Sequence, residues 1–131
     1  TNLIFINVDG NSLSGTIPTE FGLCTAMKDF LLAYNGKLLG TVPSEIMIPS
    51  LTHLSLHSND FFGPLPTEIA NLVNLEQLWL YNTRISGTIP SSFCVGNGGA
   101  LNFSSIDCGE IECDCCVGAP GIGEQWDPTP C

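Results

Sequence analysis

The feature that most limits what this chain can become is a phrase written four times. NSLSGTIPTEFG, starting at Asn11, returns as KLLGTVPSEI, DFFGPLPTEI and RISGTIPSSF. Asn11, Asn35, Asn59 and Thr83 stand 24 residues apart, while Pro18, Pro43, Pro66 and Pro90 are spaced by 25, 23 and 24. Ahead of each phrase lies the same apolar frame: Leu3, Ile6, Val8; Met27, Phe30, Leu32; Leu51, Leu54, Leu56; and Leu75, Leu78, Leu80. A unit this short cannot bury its own apolar face. Stacked copies can, which is why a fixed period of this length predicts a solenoid with one continuous core.

Each letter of the repeat has a physical job. The paired apolar residues alternate with period two, so they point inward from a short strand while the residues between them face outward on a parallel sheet. The Asn can donate to and accept from the backbone of its own and the neighbouring coil, satisfying groups that the bend would orphan. Thr83 can do part of that work. In the second half a Gly permits an awkward backbone, an apolar residue returns to the core, and Pro with Ser or Thr after it starts a short helical turn. Glu20, Glu45 and Glu68 then sit at positive helix ends, which we read as capping rather than as catalytic carboxylates.

From Leu3 to Phe93 this pattern resembles the plant-type leucine-rich repeat of receptor-kinase ectodomains and polygalacturonase-inhibiting proteins. The segment SSIDCGEIECDCC resembles the cysteine-rich end of secreted or surface leucine-rich-repeat proteins of diatoms and related algae. The resemblance implies an α/β, right-handed solenoid of about four 24-residue coils. It also implies a concave parallel sheet, a lateral second strand around each L-x-G segment, and short 3-10 or irregular convex turns. This chain departs from the pattern at Lys37, an insertion, and at Pro64, and it lacks the N-terminal cysteine cap of plant members. Residues 1–93 are expected to form the repeats, and 94–131 a half repeat, LNFSSI, followed by a cysteine-rich cap over the last coil.

Composition narrows the function. The 131 residues carry a net charge of −10, with 13 acidic against 3 basic side chains, which disfavours nucleic acid and anionic membranes as partners. No apolar run approaches the ~20 residues that cross a bilayer. Of the seven cysteines, Cys94, Cys108, Cys113, Cys115, Cys116 and Cys131 crowd the C-terminal segment, the density of a disulfide framework in an oxidising, extracellular or cell-surface setting. Their connectivity is open. Cys24 falls three coils before Cys94, ~14 Å away at ~4.8 Å per strand, too far for a bond, and is expected to be a buried thiol outside the cross-links. Asn102-Phe103-Ser104 is an N-glycosylation sequon.

Enzyme chemistry finds no purchase. His53 and His57 spell H-x-x-x-H, but as strand residues ~13 Å apart they cannot share an ion. A nucleophile with a base at motif spacing, a phosphate loop and a zinc knuckle are all missing, so neither cofactor nor metal is implied. What remains is the concave surface. Outward positions form columns: Phe5, Asp29, His53, Gln77, Phe103; Asn7, Leu31, Ser55, Trp79, Ser105; and Asp9, Ala33, His57, Tyr81, Asp107. Tyr34, His53, His57, Gln77, Trp79 and Tyr81 combine stacking faces with polar tips, the mixture found in protein hot spots and sugar platforms. The expected function is therefore a non-catalytic interaction module for a protein or polysaccharide ligand. A structural segment of a larger extracellular assembly, and an ice-binding solenoid using Thr16, Thr41, Pro64 and Thr88, are the alternatives. Ile6 and Val8 would face an open end of the stack, so upstream coils, a cap or self-association is expected there.

Overall fold

The computed structural model describes residues 2–94, 97–107, 110–113 and 116–118, and they form a solenoid with two parallel walls. On the first wall, β1 (Phe5–Asn7), β3 (Asp29–Leu31), β5 (His53–Ser55), β7 (Gln77–Trp79), β9 (Phe103–Ile106) and β11 (Val117–Gly118) pair in that order. On the second, β2 (Ser14–Gly15), β4 (Lys37–Gly40), β6 (Asp60–Pro64), β8 (Arg84–Thr88) and β10 (Ile111–Glu112) do the same. Every pairing is parallel, because each coil returns to its start one strand further along. The first wall continues through β9 and β11, so the coiling runs past the last full phrase.

Between the walls runs one core. Leu51, Leu54, Leu56, Phe61, Leu78, Leu80, Ile85 and Ile106 are fully buried, joined by the frame residues Met27, Phe30, Leu32 and Leu75. Each such side chain contributes roughly 1.5–3 kcal/mol by leaving water. The third side of each coil is a 3-10 turn: Thr19–Leu23, Ser44–Ile46, Thr67–Asn71 and Ser91–Phe93. Each begins after a proline with φ between −58° and −69°, the preset value, and none exceeds five residues. Glu20, Glu45 and Glu68 occupy the first turns without a side-chain cap hydrogen bond; Glu45 and Glu68 accept instead from the Ser44 and Thr67 hydroxyls (3.4 and 3.3 Å).

The asparagines form a ladder along the inside of the bend. Asn59 Nδ2 donates to the carbonyls of Leu56 (3.1 Å) and His57 (3.2 Å) in its own coil and of Leu32 (2.8 Å) in the preceding one. Its Oδ1 accepts from the N–H groups of Asn35 (3.2 Å) and Gly36 (3.1 Å). Asn35 repeats the pattern toward Leu32, Ala33, Val8 and Leu13. Thr83 keeps only the local half: its Oγ1 donates to Leu80 O (2.7 Å) and accepts from Ile85 N (3.3 Å). Asp107, assigned from sequence to an outward column, turns its Oδ2 to the Thr83 N–H instead (3.1 Å).

Two slots demand special backbone. Gly15, Gly40, Gly63 and Gly87 all have positive φ, and a Cβ on Gly40 would lie 3.0 Å from the Thr16 methyl, so the lateral wall is closed by nesting methyls into bare backbone. The residue before each ladder position is also left-handed: Gly10 (φ 69°), Tyr34 (54°), Ser58 (57°) and Asn82 (52°). The lateral strands are staggered, so Pro64 pairs with Ser86 and Thr88 with Glu112. Thr16, Thr41, Pro64 and Thr88 are exposed, and Pro64 and Thr88 are not partners in register.

Cys113 and Cys116 are joined by a disulfide, and Cys94 is also disulfide-bonded. Cys24 is buried in the core. Cys108, Cys115 and Cys131 lie outside the described residues. The first coil is the least covered: Leu3, Ile4 and Phe5 are exposed, and Ile6 and Val8 are only partly buried.

Candidate functional site

The register of the first wall carries the columns of side chains expected from the repeat. Phe5, Asp29, His53, Gln77 and Phe103 pair in sequence across five strands, as do Asn7, Leu31, Ser55, Trp79 and Ser105. Depth varies along these columns. Ser55 and Ser105 are buried although they point away from the core, and so is Ala33, whereas Trp79, Gln77 and His53 are half-exposed.

The aromatic residues gather around His57. Its imidazole stacks on Tyr81 (centroids 4.3 Å, 14° between planes) and meets Tyr34 edge-on (4.7 Å, 88°) and Trp79 at a tilt (5.9 Å). The hydroxyls of Tyr34 and Tyr81 stand 3.3 Å apart, bridging the second and fourth coils over the third. Tyr34 reaches this position from its left-handed backbone, and it remains the most exposed of the group at 58%. His57 is its buried centre, at 7% exposure, so it supports the surface rather than presenting a polar tip to a ligand. Burial pushes its imidazole below the ordinary value of 6.5, against an opposing pull from Asp9. The Tyr81 phenol is pushed up, first by burial and then by the Tyr34 hydroxyl.

Beside the aromatics runs an open groove of about 370 Å³, lined by Asp9, Asp29, Leu31, His53, Ser55, His57, Gln77 and Trp79. His53 Nδ1 lies 2.6 Å from Asp29 Oδ1 and 3.0 Å from Thr52 Oγ1, so its ring is fixed in place. Asp9 Oδ1 accepts the Ala33 N–H at 2.6 Å. Four of the six expected binding residues, His53, His57, Gln77 and Trp79, line this groove, and Tyr34 and Tyr81 pack on His57 in its aromatic wall. Asp9 and Asp29 were not among the residues expected to bind. They belong to the same columns; the signal for Asp29 was a carboxylate opposite His53 in register, whereas Asp9 lies beside Ala33. No group of three or more potential metal ligands converges among the described residues. Asn102 is exposed just before β9, its N–H donating to Glu76 O (3.0 Å).

The model of the Leucine Rich Repeat family matches residues 2–24, 50–72 and 74–95. The chain belongs to the leucine-rich-repeat family. Among curated relatives it is similar to Receptor-like protein 6 of Arabidopsis thaliana (36% identical, covering 70% of this chain and 9% of that protein) and to Receptor-like kinase TMK2 of the same plant (31%, 70% and 10%). The leucine-rich-repeat chain thus spans about a tenth of the length of these relatives. Among solved structures it resembles the plant peptide hormone receptor RGFR1 in complex with RGF2 (TM-score 0.66, 34% identical, covering 82% of this chain and 18% of the receptor). It also resembles the ectodomain of GASSHO1/SCHENGEN3 from Arabidopsis thaliana in complex with CASPARIAN STRIP INTEGRITY FACTOR 2 (0.64, 30%, 83% and 13%). A plant ice-binding protein shares the fold alone (0.53, 20%, 85% and 42%). No helix among the described residues is long and apolar enough to cross a membrane.

Proposed function

We propose that this leucine-rich-repeat segment is a non-catalytic extracellular recognition module whose concave face holds a peptide or an extended protein segment. The observation that carries the reading is the meeting of an open groove with an aromatic wall built from three successive coils. Rigid aromatics with few rotatable bonds give large contact area at low entropic cost, the usual make-up of a hot spot. Two structural neighbours are receptors solved with a peptide hormone or a named factor bound, which supports a peptide over a polysaccharide.

The test is a selection from a random-peptide display library, followed by NMR mapping on the folded protein. Selected peptides should shift the Trp79 indole and lose more than about tenfold in affinity in Trp79→Ala, a cost of ~1.4 kcal/mol. Peptides that map to the lateral wall around Phe62 and leave Trp79 unshifted would refute the concave-face reading.

A second reading has its own observation. The first coil carries an apolar groove of about 270 Å³, lined by Ile6, Val8, Leu13, Ile17, Phe21 and Leu32 among others, and β1 is an edge strand. A neighbour that extends the sheet would cover both. Light scattering across a concentration series tests it: a monomer at all concentrations, with β1 amides as protected as those of β7, removes the self-association version.

A further inference from the structure

The groove is built differently at its two ends, and the difference specifies what it holds. Asp9 and Asp29 line it on the first two coils, while Trp79, backed by His57 and Tyr81, lines it on the third and fourth. No lysine or arginine lines it at all. The chain has three basic residues, and each is placed elsewhere: Lys28 borders a separate rim groove with Ser50 and Glu76, Lys37 is in β4, and Arg84 in β8 stacks over Phe62 at 5.5 Å. Each groove carboxylate uses Oδ1 internally, Asp9 toward the Ala33 N–H and Asp29 toward His53 and Thr52. Among the described residues neither Oδ2 has a hydrogen-bond partner. A net charge of −10 adds a background field of the same sign.

We infer that the concave groove selects an extended peptide carrying a basic side chain at the Asp9 and Asp29 end and an apolar or aromatic side chain at the Trp79 end. The inference rests on the concave-face reading above and adds the ligand's charge and spacing to it. Asp29 and Trp79 are separated by two strand steps of ~4.8 Å and one two-residue step along a strand, ~12 Å in all, which an extended ligand crosses in about three to four residues at ~3.3 Å each. A lysine or arginine meeting one or both carboxylates gains a charge-assisted contact, and the half-enclosed groove screens it less than open surface does.

The experiment uses the whole chain and the same display library, with Trp79→Ala as the subtractive target, so that only concave-face binders are scored. These peptides are expected to be enriched in Lys or Arg placed about three to four residues from an aromatic or apolar position, following the strand spacing. Synthetic copies are then titrated by fluorescence anisotropy against Asp9→Asn/Asp29→Asn and against Glu45→Gln/Glu68→Gln. The second pair removes the same charge from exposed positions in the 3-10 turns. Asn keeps an accepting oxygen, so the internal hydrogen bonds survive. Affinity should fall about fivefold or more in the first variant and stay within about twofold in the second. On the unmutated protein, raising salt should weaken the same peptides, a reading that needs no variant to fold. Trp79-dependent peptides lacking basic residues, equal losses in the two double variants, or salt-independent affinity would each overturn the charge assignment and leave the concave site standing. A library that yields no Trp79-dependent binder overturns the site itself, and this inference with it.

Discussion

Residues 3–24 and residues 51–72 are written in one pattern and live in two environments. In the third coil Leu54 and Leu56 are fully buried, and Asn59 bonds to both its own coil and the one before. In the first coil Ile6 and Val8 are only partly covered, and the Asn11 amide reaches only the carbonyls of Val8 and Asp9 in its own coil. The letters are equivalent; the neighbours are not. Burial in a stacked architecture is therefore a property of position in the stack, and the energy held in each leucine depends on whether a coil lies on both sides of it.

Four substitutions or conditions should break or sharpen that contrast. The largest effect belongs to the core. Leu54→Ala should cost about 2–5 kcal/mol, read by urea denaturation, whereas Ile6→Ala should cost no more than about 1–2. Equal losses would mean that the first coil is covered as completely as the third. Next comes the ladder. Asn59→Ala orphans buried groups on two coils and should destabilise by about 1–3 kcal/mol, against less than about 0.5 for the exposed Asn11→Ala.

The third contrast is one of pH. His57 is held neutral in the third coil, its folded value lying below 6.5. Above 6.5 the imidazole is neutral in both folded and unfolded chains and costs nothing; as pH falls below 6.5 the unfolded chain takes up the proton first, so stability declines until pH reaches the lowered folded value. Thermal melts of the wild type and His57→Phe across that window should diverge toward acid pH if Phe packs as well, because only the wild type loses the His57 contribution there. A parallel decline in both would assign the pH effect to other groups.

The smallest effect tests the left-handed slot. Gly10 has φ 69° and nothing within 4 Å of a would-be Cβ, so Gly10→Ala should cost about 1 kcal/mol of pure backbone strain. Ser58 already bears that conformation at φ 57°, so Ser58→Ala should change stability through its Oγ contacts with His57 and Asn82 rather than through the backbone. A Gly10→Ala variant as stable as the wild type would show that the first coil adjusts its turn where the third does not.

Much of the architecture was legible because a 24-residue period admits few solutions. The strand frame of Leu51, Leu54 and Leu56, the ladder at Asn35 and Asn59, and the prolines before the 3-10 turns all follow from spacing plus hydrogen-bond demand. The binding columns were legible for the same reason. Their depth was not, since nothing in the letters of His57 says that Tyr34 and Tyr81 will close over it from neighbouring coils. A clue did exist: Gly10, Ser58 and Asn82 share the slot of Tyr34, and small or Asn-like residues in register mark a left-handed position that turns its side chain aside. Lateral register was not legible, because Pro64 meets Ser86 through a two-residue stagger that sequence spacing does not reveal. The Cys113–Cys116 bridge was one of many pairings that six cysteines allow.

The asparagine ladder has a consequence for how such a chain can change over generations. Its rungs hold a spacing of 24 residues even where the prolines drift to 25 and 23, so the extra residue near Lys37 is absorbed on the lateral side and repaid before the next rung. A gain or loss of one whole unit keeps every rung engaged, whereas a single-residue slip on the concave side would put Ser58 or Asp60, for example, where the Asn59 amide must bridge two coils. Duplication of a coil between Asp29 and Trp79 would thus be tolerated by the fold, and would lengthen the distance between the charged and aromatic ends of the groove by one strand step of ~4.8 Å. Ligand length can be retuned by copying units rather than by remodelling the surface.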